Sequence, residues 1–138
     1  MEPWDEAHRL MKYFPMFMDL VDRPCLVVGG GSAALAKARL LIKVGARVIL
    51  VSKTPSEEVG VLADQDALTV RRRAFREDDI KGMTLVIVAS GNADVDQEVS
   101  KIARASGIPV NVVDQLNLSN FLVPAIIDRH PLQIGISS

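Results

Sequence analysis

The chain has 138 residues and a formal net charge of −1; 49% of its residues are hydrophobic, 4% are aromatic and 24% are charged. This balance predicts one globular domain, and the near-zero charge gives no general attraction to nucleic acid or to a membrane surface. No apolar run reaches the roughly 18 residues of a membrane span, and a single cysteine and two distant histidines supply neither an internal disulfide nor a zinc site, so we expect a cytoplasmic protein without a bound metal.

Short apolar segments alternate with amphipathic ones along most of the sequence. Apolar and β-branched runs predict strands over residues 17–20, 25–28, 47–51, 68–72, 85–89 and 109–113. Helix-forming residues predict helices over residues 33–44, from Pro55 onward, and from Asn92 or Ala93 to Ala105. Further along, short strands joined by tight turns are predicted at 121–123, 126–127 and 132–136.

The order of these elements indicates the fold class. Strand and helix alternate from residue 25 to residue 113, which is typical of a doubly wound parallel sheet with right-handed crossovers. We therefore expect an α/β fold with a Rossmann-like domain over residues 1–113. Residues 114–138 are expected to form a short C-terminal β appendage.

A glycine-rich turn follows the strand at 25–28. Gly29, Gly31 and Ala34 match the pattern G-x-G-x-x-A between a β-branched run and a helical one. In that setting Gly29 permits a tight turn, Gly31 lets the backbone approach a pyrophosphate, and Ala34 allows close packing of helix on strand. The helix N-terminus then offers N–H groups to phosphates, so the pattern favours a dinucleotide site over a purely structural turn. The predicted cofactor contacts here are Gly29, Gly30, Gly31, Ser32 and Ala33.

The end of the next strand bears on the choice of dinucleotide. An Asp or Glu usually holds the ribose 2′-hydroxyl of NAD there, but this chain reads Val51-Ser52-Lys53. Lys53 could accept the 2′-phosphate of NADP, or it could be an ordinary solvated lysine. The residues alone do not choose between NAD and NADP, and Ser52 and Lys53 are added to the predicted cofactor contacts.

Polar residues also stand at the later strands of the predicted sheet. Ser90 ends one strand, where its backbone or hydroxyl could reach the cofactor. Asn111 could orient the substrate or the cofactor, or could simply bond within an edge strand, and both residues are added to the predicted cofactor contacts. Asp114 follows the strand at 109–113, at the carboxyl end where open α/β sheets bind ligands. From the residues alone, a role as a turn-former is favoured for Asp114. The basic run at 71–73, with Arg76, is expected to be a solvated sheet edge.

Seven sequence blocks occur in an order that resembles one family, the precorrin-2 dehydrogenases, which form the N-terminal NAD-binding module of siroheme synthases. The blocks are residues 14–20, 29–37, 45–48, 89–90, 111–114, 121–125 and 136–138. The resemblance implies NAD-dependent oxidation of precorrin-2 to sirohydrochlorin, with Asp114 as the general base. It also implies a polycarboxylate tetrapyrrole substrate, for which Lys37, Arg129 and His130 are weaker candidate contacts.

The chain also departs from that family pattern. Ser90 stands where Thr is usual, Gly91-Asn92 replaces a more acidic pair, and Ser119 stands where many members have Cys. The sequence stops where the family continues into a dimerisation segment, so residues 114–138 resemble the start of that region and a homodimer is a weakened expectation.

Other functions remain open at this stage. One is a non-catalytic NAD-sensing module, and another is a bifunctional dehydrogenase that also inserts ferrous iron. A short-chain dehydrogenase is excluded because its Tyr-x-x-x-Lys pair is missing: the single tyrosine, Tyr13, precedes the glycine turn.

Overall fold

A computed structural model describes residues 12–129 and 132–136, with side chains up to residue 124. Its seven strands are β1 (Pro24–Val28), β2 (Arg47–Val51), β3 (Thr69–Arg71), β4 (Leu85–Val88), β5 (Val110–Val112), β6 (Ala125–Arg129) and β7 (Leu132–Ile136). The α-helices are α1 (Ser32–Lys43), α2 (Glu57–Asp64) and α3 (Ala93–Ala105). Two short 3-10 helices lie at Glu77–Ile80 and Leu116–Leu118.

Five strands form one parallel sheet in the order β3-β2-β1-β4-β5. The chain moves outward from β1 through β2 to β3, then returns to the other side of β1 with β4. This reversal places a switch point between the carboxyl ends of β1 and β4, where doubly wound sheets bind their ligands. The expected α/β, Rossmann-like fold is confirmed.

Helices cover both faces of the sheet, which explains why its central strands are almost wholly apolar. On one face, β1, β2 and β4 pack against α1 and α2, and the fully buried Ala34 and Ala38 have side chains short enough for α1 to lie close to the sheet. On the other face, Leu26, Val86 and Val88 pack against α3. The connecting loops, rather than the two core layers, lie at the carboxyl ends of the strands.

Side-chain caps fix where two of the helices begin. The Oδ1 of Asn92 accepts hydrogen bonds from the N–H groups of Asp94 and Val95, which confirms the predicted start of α3. Ser56 caps α2 by accepting from the N–H of Val59 at 3.3 Å. Each cap satisfies N–H groups that have no partner inside the helix.

Two predicted strands are wrong. Residues 17–20 form no strand, because β2 and β4 already occupy both sides of β1, and Phe17 is 73% exposed. Residues 121–123 also form no strand. The C-terminal appendage is instead a two-stranded antiparallel hairpin of β6 and β7, separate from the main sheet, which includes the strands predicted at 126–127 and 132–136.

The basic run after β3 is also not a simple solvated edge. Arg71 and Arg73 both donate to the carboxylate of Asp79, at 2.8 Å and 2.7 Å, and Asp79 is only 1% exposed. Its second oxygen also accepts from the N–H of Arg76. Burial alone would raise the pKa of Asp79, but these hydrogen bonds outweigh it and lower the pKa to about 2. The cluster ties the end of β3 to the first 3-10 helix.

We expect Asp79→Asn to lower the free energy of unfolding at pH 7 by about 1–2 kcal/mol, since the folded protein holds this carboxylate ionised. A folded pKa near 2, below the ordinary 3.8, means that the stabilisation is complete above about pH 4 and is lost as the pH falls towards 2. Urea unfolding at pH 7 and pH 3 measures both effects. Asp78→Asn is the control, because its pair with Lys81 is exposed and should change stability little.

Candidate functional site

The glycine turn at residues 29–31 lies at the switch point, between the ends of β2 and β4. Gly29 has φ = +134°, and a side chain there would collide with the carbonyl group of Ala89 at the end of β4. A side chain at Gly30 would collide with the Oγ of Ser52 and lie 2.8 Å from the Cα of Pro55. These two glycines therefore let β1 turn tightly into α1 beside its neighbouring strands.

Gly31 differs from both, because a Cβ built on it meets no atom within 4 Å. It is the N-cap residue of α1, and no side chain caps that helix. Ser32 and Ala33, in the first turn, are exposed. An uncapped helix N-terminus behind an open glycine is suited to an anion, because its N–H groups and helix dipole favour negative charge. The residues present thus fit the pyrophosphate of a dinucleotide.

The loop after β2 holds Ser52 and Lys53 beside the glycine turn. The Oγ of Ser52 accepts from the N–H of Thr54 at 3.1 Å, and its backbone N–H donates to the carbonyl of Arg71. Lys53 is exposed and forms no ion pair within the described residues. The strand end thus presents a hydroxyl and a cation towards solvent, without the carboxylate that usually accompanies NAD.

The loop after β4 is organised by a bond between Ser90 and Asp96. Ser90 donates its hydroxyl proton to the Asp96 carboxylate, and the same oxygen accepts from the N–H of Asn92 at 3.1 Å. Asp96 is 9% exposed. Because the hydroxyl proton is engaged inside the protein, Ser90 could meet a cofactor through its backbone. Asp96 was missed by sequence reasoning, since it lies six positions after Ser90, within an ordinary helical sequence.

At the end of β5, Asp114 lies in a tight turn with φ = +63°, closed by a 3.0 Å bond from the N–H of Gln115 to the carbonyl of Val112. Its carboxylate is exposed and makes no hydrogen bond or ion pair within the described residues. Asn111, only 8% exposed, donates its side-chain amide to the carbonyl of Phe121 at 3.0 Å. The free carboxylate is available to a substrate, whereas this amide is used within the fold.

The remaining candidates are less closely associated with this edge of the sheet. Lys37 is half-buried on α1, beyond the glycine turn. Arg129 ends β6, where side chains are not described, and His130 lies outside the described residues. The predicted site residues therefore fall into a group at the carboxyl ends of β1, β2, β4 and β5, with Lys37 apart from it.

Other site types find little support. In residues 12–129 and 132–136, no group of three or more His, Cys, Asp and Glu side chains is placed to hold a metal ion. Burial raises the pKa of Cys25 to about 11, so its thiol is protonated and is a poor nucleophile. In the same part of the chain, no helix combines the length and apolar character needed to cross a membrane.

Substitution of the two neighbouring glycines should separate binding from folding. Gly31→Ala adds a methyl group in open space, so the thermal midpoint should stay near that of the parent while the Kd for NAD+ rises about tenfold or more, by obstruction of the phosphates. Gly30→Ala should instead cost about 2 kcal/mol of stability through its collision with Ser52. Differential scanning calorimetry and isothermal titration measure these two effects. Unchanged NAD+ affinity in Gly31→Ala would place the phosphates elsewhere.

Comparison with known proteins agrees with this geometry. The model of the family NAD_binding_7, described as "Putative NAD(P)-binding", matches residues 16–125. Siroheme synthases of Vesicomyosocius okutanii subsp. Calyptogena okutanii and Thioalkalivibrio sulfidiphilus are 41% and 44% identical to the chain over 128 residues. Each alignment covers 93% of this chain but only 28% and 26% of the relative, so the chain spans little more than a quarter of these proteins.

A solved structure is similar over most of the chain. The protein described as "SirC, precorrin-2 dehydrogenase" superposes with a TM-score of 0.77 and 26% identity, covering 91% of this chain and 62% of that one. It supports the Rossmann-like fold independently of the family match. The resemblance to precorrin-2 dehydrogenases and siroheme synthases expected from the sequence blocks is thereby confirmed, and the chain belongs to the NAD(P)-binding family NAD_binding_7.

Proposed function

We propose that this chain oxidises precorrin-2 to sirohydrochlorin, using NAD+ bound at the glycine turn and Asp114 as the general base. The observation that carries the proposal is the arrangement at the carboxyl edge of the sheet. An uncapped helix N-terminus suited to a dinucleotide follows β1, and an exposed carboxylate that bonds to none of the described residues follows β5. The similarity to siroheme synthases and to a precorrin-2 dehydrogenase supports the choice of substrate.

The reaction removes two hydrogens from the reduced macrocycle, one as hydride and one as a proton. NAD+, when bound, supplies the hydride acceptor. The proton needs a base beside the macrocycle, and the Asp114 carboxylate can accept it because its oxygens are exposed and make no bond to the described protein.

The dinucleotide is held, in this proposal, by Gly29, Gly30, Gly31, Ser32 and Ala33 at the phosphates, and by Ser52 and Lys53 at the ribose. Ser90 would contribute its backbone, because its hydroxyl proton is donated to Asp96. We propose NAD+ as the physiological oxidant. The side chain of Lys53 is exposed and could bind the 2′-phosphate of NADP+, so the assay compares the two dinucleotides.

The substrate is a polycarboxylate, and Lys37, Arg129 and His130 are proposed to meet its acidic groups. We also propose that the chain acts as a cytoplasmic homodimer. The β6–β7 hairpin pairs with no strand of the main sheet, and an isolated two-stranded hairpin is marginally stable in water. Packing of this hairpin against a second copy would stabilise it.

The direct test is an anaerobic incubation of the chain with precorrin-2 and either NAD+ or NADP+, following sirohydrochlorin by its absorbance. Asp114→Asn should lower kcat by about 10²–10⁴-fold while NAD+ binding is kept, since the amide cannot accept the proton. Asn is the appropriate replacement because it tolerates the left-handed backbone at this position.

Asp66→Asn provides the matched control for this variant. Asp66 is likewise exposed and has φ = +58°, in the turn after α2, so its replacement should leave kcat at the parental value. Parental turnover in Asp114→Asn would rule out the base assignment. If the parent chain binds NAD+ but forms no product with either dinucleotide, the dehydrogenase proposal fails and a sensor role gains support.

A further inference from the structure

The loop that carries Asp114 closes the outer edge of β5, the last strand of the sheet. Because β5 is an edge strand, the N–H and C=O groups of Val110 and Val112 point away from β4. Asn120 binds both groups of Val110: its Oδ1 accepts from the N–H at 2.8 Å, and its own N–H donates to the carbonyl at 2.9 Å. Ser119 binds both groups of Val112 through its hydroxyl. Two consecutive residues thus supply hydrogen bonds that a neighbouring strand would otherwise make to β5.

The Ser119 hydroxyl also reaches across the turn. It accepts from the N–H of Val112 at 2.8 Å and can donate its proton to the carbonyl of Gln115 at 2.9 Å or to that of Val112 at 3.2 Å. Val112 and Gln115 flank the turn in which Asp114 lies. Ser119 is itself 8% exposed, so these bonds are largely shielded from water.

The same loop is held from the helix side. Ser100, which is buried on α3, donates its hydroxyl to the carbonyl of Leu118, and Arg104 donates to the carbonyl of Asn117 at 3.0 Å. The residues that follow Asp114 are therefore fixed to both α3 and β5. Among the side chains that the structure describes, however, only that of Ser119 bonds to residues on both sides of the Asp114 turn.

We infer that Ser119 is a positioning residue for the Asp114 carboxylate. This rests on the proposed function, in which Asp114 is the base. Ser119 acts through the turn: its hydroxyl holds the backbone on both sides of Asp114, so the position from which the carboxylate projects is fixed before the substrate arrives. Such preorganisation matters because a displacement of about 1 Å at a reacting group can cost about 10²-fold in rate.

The test compares Ser119→Ala with the parent chain in the anaerobic assay. Loss of the hydroxyl should lower kcat about tenfold or more, while the KM for NAD+ stays within about twofold, because the dinucleotide site lies at β1. Ser119→Thr should keep most of the parental kcat, since it retains the hydroxyl and the backbone there (φ −105°, ψ 143°) suits a β-branched residue. Ser119→Val serves if Ser119→Ala does not fold, because it has the shape of the Thr variant but no hydroxyl.

A double-mutant cycle separates positioning from general loss of stability. If Ser119 works through Asp114, then Ser119→Ala should change the residual rate of Asp114→Asn by less than about twofold. Leu68→Val is the stability control, because Leu68 is buried immediately before β3, at the opposite edge of the sheet from this loop, and its replacement should lower the thermal midpoint without lowering kcat.

The outcomes distinguish the two hypotheses. If Asp114→Asn keeps parental turnover, the proposed function fails in its choice of base, and the inference falls with it. If Asp114→Asn is inactive but Ser119→Ala or Ser119→Val behaves like Leu68→Val, only the inference is overturned. It is also overturned if the effects of the Ser119 and Asp114 substitutions multiply in the double variant.

Discussion

The close approach of β1 to the end of β4 is the constraint on which the site depends. It exists because residue 29 has no side chain: any Cβ would overlap the carbonyl of Ala89. With the two strand ends this close, the turn leads directly into α1, whose first turn is exposed and has no side-chain cap. The small side chains of Ala34 and Ala38 then keep the helix near the strands, so the turn, the helix N-terminus and the switch point form one unit.

A second layer of constraint comes from hydrogen bonds between side chains and the backbone. The loops after β4 and β5 are not held by packing alone: Ser90, Ser119 and Asn120 each bind main-chain groups near a strand end. Such bonds are short-range and directional, so they fix the loop backbone while leaving the outer surface free for ligands. The catalytic proposal for Asp114 depends on this arrangement, because an exposed carboxylate on a mobile loop would have no fixed direction.

Much of the fold could be predicted from the sequence because its signals are local. The apolar run at 85–89, the glycine turn at 29–31 and the start of a helix at Asn92 or Ala93 each specify their own structure within a few residues, and all are confirmed. Residues 17–20 are the counterexample. Their apolar composition suits a strand, but β1 already pairs with β2 on one side and with β4 on the other. Strand pairing is a property of the whole sheet, which local composition cannot specify.

Only part of the candidate site could be predicted, because only some of its signals are local in the sequence. Its positions at strand ends follow from the strand–turn–helix pattern, but the partners of each side chain do not. Arg71 and Arg73 looked solvated because nothing in a basic run indicates that Asp79, several residues later, is buried between them. The Ser90–Asp96 and Ser119–Val112 bonds likewise depend on how loops return to the sheet. Which residue bonds to which required the three-dimensional structure.

The two borders of the sheet also bear on how the protein behaves in a concentrated solution. An uncovered edge strand can recruit the strand of another molecule and begin aggregation. On one side that pairing is blocked, because the outward groups of β5 are already bonded to residues 119 and 120. At the other edge, β3 has only three residues, and the basic run 71–73 begins at its last residue. Few backbone groups are therefore exposed at this edge, and charged side chains flank them. The fold therefore discourages self-association through its main sheet at both ends, by different means.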